Sequence, residues 1–89
     1  MESLDAWTER MLCYGSGDSY DPADLKHFLR VNPWLVGPFR QRFVWVLDHR
    51  PFRRDWWIAE FSRWFEDEDA LYRRLGAFHD YLFRDGPLP

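Results

Sequence analysis

Pro38-Phe39-Arg40-Gln41-Arg42-Phe43-Val44-Trp45-Val46-Leu47-Asp48-His49-Arg50-Pro51 is the stretch that separates one fold class from another. Phe39, Phe43, Val46 and Leu47 fall at i, i+4, i+7 and i+8, the spacing of one helix face, and Pro38 suits a first helical position. The same stretch holds Phe43-Val44-Trp45-Val46-Leu47, an unbroken β-branched and aromatic run that also reads as a short buried strand. The helical reading makes the chain all-α; the strand reading makes it α+β, with a strand near 43–47. Arg50-Pro51 ends the element either way, because the residue before a proline is steered out of the helical region.

Outward from that stretch the punctuation is helical. Ser3 is an N-cap for a first helix running to about Tyr14, with Leu4, Trp7, Met11 and Tyr14 facing the core. Gly15 to Tyr20 is a turn-forming stretch rich in glycine and small polar residues. Asp21-Pro22 starts a second helix, Asp24 favours its positive end, and Leu25, Phe28 and Leu29 form its apolar stripe up to Asn32-Pro33. Pro33 to Pro38 is an apolar connector expected to be a turn or loose helical turn and to be buried. A third helix is expected from Pro38 to about His49. Residues 51–66 form a fourth, the most apolar, and Asp67 caps a fifth that runs through Arg84 to the stop signals Gly86 and Pro87. Leu71, Leu75, Phe78 and Leu82 line its core side. The expected architecture is a single domain over residues 1–89, a compact all-α bundle of about five short helices.

Composition narrows the class. A chain of 89 residues that is 46% hydrophobic and 30% charged is too apolar for disorder, and no run approaches the ~20 apolar residues a bilayer span needs. The N-terminal Met1-Glu2-Ser3-Leu4-Asp5 has no basic start or apolar stretch of a secretory signal, so a cytoplasmic protein is expected. One cysteine, Cys13, leaves stability to packing, which at this size amounts to a few kcal/mol. Net charge is −3, but residues 26–54 carry seven cations against Asp48 while residues 1–25 and 55–69 are acidic. That basic block forms a surface patch only if the fold keeps it together; otherwise the acidic flanks neutralise it.

The most informative feature is eighteen aromatic residues, six of them Trp, some on helix faces that the pattern marks as solvent-facing. At about 100° per residue the fourth helix places Trp57, Ile58, Phe61, Trp64 and Phe65 on one arc, the expected core face, and Phe52, Trp56, Ala59 and Arg63 on the opposite side. Either it is a central helix packed on both sides, or one stripe faces outward with the composition of an interface hot spot. Trp45 projects among Gln41, Arg42, Asp48 and His49, and Tyr81 lies near Arg74, Ala77 and Arg84, opposite the leucine stripe. Arg53 beside Trp56 and Arg63 beside Trp64 read as cation–π neighbours. Eleven Arg against one Lys fits a protein interface, and so does the codon usage of a GC-rich genome.

Chemistry finds little support in the residues. His27, His49 and His79 lack metal-ligand spacing, Gly15-Ser16-Gly17 lacks the strand and lysine of a phosphate loop, and Glu66-Asp67-Glu68-Asp69 suits a helix start. Neither Cys13 nor Asp48-His49-Arg50 has the partners a catalytic group needs. No enzymatic activity, cofactor or metal is expected. The leading expectation is a small protein-binding module, an inhibitor that occludes a surface of a larger protein or complex in the manner of toxin-immunity or phage anti-defence proteins. Its expected anchors are Trp45, Phe52, Trp56, Arg63 and Tyr81. Two alternatives stand beside it. One is single-stranded nucleic-acid binding by segment 39–57, with Arg40, Arg42, Arg50, Arg53 and Arg54 on phosphates or on an acidic partner and the interleaved rings on bases. The other is a homodimeric structural or adaptor subunit.

Overall fold

The decisive stretch is helix. In the computed structural model, which describes all 89 residues, the run 43–47 lies inside one unbroken helix and the chain contains no strand. Five helices make up the fold: α1 (Leu4–Gly15), α2 (Pro22–Val31), α3 (Val36–His49), α4 (Arg54–Phe61) and α5 (Glu68–Phe83), with a 3-10 turn over Pro33–Leu35. No helix is long and apolar enough to cross a membrane.

Three helix starts follow from short side chains that accept orphan amides. Ser3 accepts from the Ala6 N–H, Asp21 from Asp24 and Asp67 from Ala70, as side-chain caps do. α3 begins at Val36 rather than Pro38, because the 3-10 turn runs straight into it and the Val36 N–H is already bonded to the Pro33 carbonyl. That turn is not buried as expected. Pro33, Gly37 and Pro38 face solvent and Trp34 is 69% exposed. α3 ends at Arg50, which takes the left-handed conformation ahead of Pro51.

The fourth helix departs most from expectation. Instead of spanning 51–66 it covers eight residues, Arg54–Phe61. It stops because the Phe61 carbonyl, free to continue the ladder, instead accepts the Gly17 N–H from the α1–α2 loop at 2.6 Å. Ser62 then turns left-handed, at φ 55°. Beyond it, the Phe65 carbonyl accepts from Arg54 Nε, holding residues 62–65 as a return strap along α4. Gly17 is required there, since a Cβ would run into the Ser62 carbonyl oxygen.

All five helices feed one core of sixteen buried apolar residues. The expected faces mostly reach it: Trp7 and Met11 from α1, Leu25 and Leu29 from α2, Phe39, Phe43 and Val46 from α3, and Leu71, Leu75, Phe78 and Leu82 from α5. Trp7 is its hub, edge-on to Phe43 at 5.2 Å and stacked with Phe52 at 5.7 Å. Two polar atoms are left without partners inside, Trp7 Nε1 and His79 Nε2, a cost that rings on every side must offset. The radius of gyration, 12.2 Å, is close to the roughly 12 Å expected of a folded chain this long.

Candidate functional site

Phe52 precedes α4 and is pinned by one side chain. The Tyr72 hydroxyl donates to the Phe52 carbonyl at 3.0 Å and accepts the Phe52 N–H at 2.9 Å. These two hydrogen bonds hold the Phe52 ring against Trp7 and Trp57 and leave it 9% exposed. Phe52 is therefore core, which corrects the sequence reading that set it on an outward stripe: it lies outside the helix, so the helical wheel did not apply to it. Burial pushes the Tyr72 hydroxyl above its ordinary pKa, with its bond to the Phe52 backbone pulling the other way.

Trp56 uses the outer face of that same ring. It stacks on Phe52 at 4.9 Å with planes 15° apart and remains 40% exposed. Pro51, Phe52, Arg53 and Trp56 frame an open surface concavity of about 430 Å³, and no carboxylate reaches the exposed Arg53. Around the α4 turn, Trp64 is 69% exposed with the Arg54 guanidinium 5.5 Å from its ring. Trp64 was expected in the core; Ser62 ends the helix before it, so the strap turns it outward. Trp57, Phe61 and Phe65 are buried as expected.

The remaining expected anchors stand elsewhere and are already engaged. Trp45 is half-buried, stacked with His49 at 4.4 Å and covered by Arg42 at 4.7 Å. Tyr81 is half-buried under the Lys26 ammonium, 4.5 Å from its ring. Arg63 lies 4.2 Å over Tyr20, not over Trp64, and Trp56 pairs with Phe52 rather than with Arg53. Of the five, the structure brings only Phe52 and Trp56 together, while Trp64, which sequence reasoning placed inside, is exposed on the strap that follows α4.

The five basic candidates are likewise divided. Arg50 bonds Asp69 at 2.6 Å, which holds the Asp69 carboxyl below its ordinary range. Arg54 reaches Asp55 at 3.3 Å, and Arg42 donates to the Glu2 carbonyl. Arg40 lies over Phe83. Only Arg40 and Arg53 extend from the segment without a polar protein partner. His27, His49 and His79 sit on three different helices, and no three His, Cys, Asp or Glu side chains converge.

Comparison with protein-family models, curated proteins and solved structures finds no match to this chain.

Proposed function

We propose that this chain is a small non-enzymatic helical module that binds another protein through the face around α4. Its action is occlusion of a surface on a larger protein or complex, in the manner of a toxin-immunity or phage anti-defence inhibitor. The observation that carries the reading is the pair Trp56 and Trp64, 40% and 69% exposed, two of the three exposed tryptophans of the chain and both within nine residues at α4. Large exposed rings beside arginine are the composition of interface hot spots, where a few anchors supply most of the binding energy. Trp56 is also preorganised, because Phe52 beneath it is locked by Tyr72, so little side-chain freedom is lost on docking. The nucleic-acid reading is less favoured: three of its five arginines already have polar protein partners.

The test is capture from the native host on immobilised wild-type chain, followed by titration of the identified partner. Trp64→Ala should leave stability within about 0.5 kcal/mol, as surface changes do, and weaken binding by more than about 1 kcal/mol. Trp56→Ala should weaken binding at least as much. If the partner binds the Trp56→Ala/Trp64→Ala double variant as tightly as wild type, the α4 face is not the interface. Sedimentation velocity on the same samples identifies the case in which the partner is a second copy.

A further inference from the structure

A second surface lies between the end of α2, the start of α3 and the end of α5. Leu29, Val36, Leu82 and Phe83 form an apolar groove of about 160 Å³, with Lys26 and Arg30 on its wall. Arg40 extends the cationic edge, its guanidinium 5.7 Å from the Phe83 ring. Asp85 is the one carboxylate within ion-pair distance of these cations, and it bonds Lys26 at 3.3 Å. Arg30 and Arg40 thus project over apolar floor with no counter-charge. The helix ends do not cancel them: α2 and α5 bring carbonyl ends worth roughly −0.5 charge each and α3 an amide end worth roughly +0.5, against two full positive charges.

From this geometry we infer that the groove binds an acidic peptide segment of a partner protein, anchored by one apolar side chain. Its volume is below the roughly 300–1,000 Å³ of small-molecule pockets and suits a single leucine- or phenylalanine-sized group. Carboxylates flanking that group in sequence meet Arg30 and Arg40, where a planar guanidinium can bond an acid with two parallel hydrogen bonds. Nucleic acid fits less well, because Phe83 is the one ring lining the groove and Leu29, Val36 and Leu82 give a second base nothing to stack on. The inference stands independently of the α4 face.

A random peptide-display library selected on the folded chain tests it. Enriched peptides should carry Asp or Glu around one Leu, Met or Phe. The best of them, labelled and followed by fluorescence anisotropy, should lose at least tenfold in affinity for the double variant Arg30→Gln/Arg40→Gln. Both positions are exposed, so the helical circular dichroism should be unchanged. Affinity for Trp56→Ala should equal that for wild type. Enrichment without acids, equal binding to the arginine variant, loss with Trp56→Ala, or tighter binding of a labelled oligothymidylate that depends on Arg30 and Arg40 would each overturn the assignment.

Discussion

The Tyr72 hydroxyl donates a hydrogen bond to the Phe52 carbonyl and accepts one from the Phe52 N–H, both inside the core. Tyr72→Phe removes one hydroxyl and strands two backbone groups, so a loss of about 1–3 kcal/mol is expected in urea unfolding at neutral pH. Burial raises the Tyr72 pKa above 10.0, and a raised acid contributes stability that is full below the unfolded value and lost as pH climbs through the folded one. Wild-type midpoints should therefore fall above about pH 10, and Tyr72→Phe should flatten that decline. Tyr14, also raised chiefly by burial, retains part of it. Nothing in the sequence pairs Tyr72 with a backbone twenty residues earlier, which is why Phe52 read as a surface residue.

Among the helices, the ones with local start signals were legible and the one ended by a distant loop was not. Ser3, Asp21-Pro22 and Asp67 act within four residues of themselves, and each stands where its spacing predicts. α4 ends where Gly17 takes the Phe61 carbonyl, forty-odd residues away in sequence. Ser62 must then hold a left-handed conformation that costs an L-residue roughly 1–2 kcal/mol. Ser62→Gly should accordingly stabilise the chain by about 1 kcal/mol in thermal melts. Gly17→Ala should destabilise it by more than about 1 kcal/mol, since the added methyl has no room and only the loop can move. Equal stability of Gly17→Ala and wild type would show that this contact does not set the helix end.

For the whole molecule, one shared core implies one transition. The six tryptophans are spread over α1, the 3-10 turn, α3, α4 and the strap after it, so their summed fluorescence reports the same event as helical circular dichroism, and the two urea curves should coincide. Separated midpoints would show that some helix unfolds on its own. The charge blocks resolve at this scale too. Arg50 and Arg54 find carboxylates in the acidic block that follows them, Lys26 finds Asp85 in the tail, and Arg30, Arg40, Arg42 and Arg53 find none. Neutralisation by the acidic flanks is thus partial: Arg30 and Arg40 edge the groove between α2, α3 and α5, Arg53 borders the concavity beside Trp56, and Arg42 lies over Trp45.

Helix type, most helix starts and the buried faces of α1, α2, α3 and α5 were set by the sequence alone, because caps and periodicity act over one or two turns of chain. Which rings face water was decided only by tertiary structure. Trp56 and Trp64 are outside, and Phe52 is inside, because a loop amide ends α4 and a tyrosine from α5 holds the segment before it. Those bonds join residues whose proximity exists only once the chain has folded.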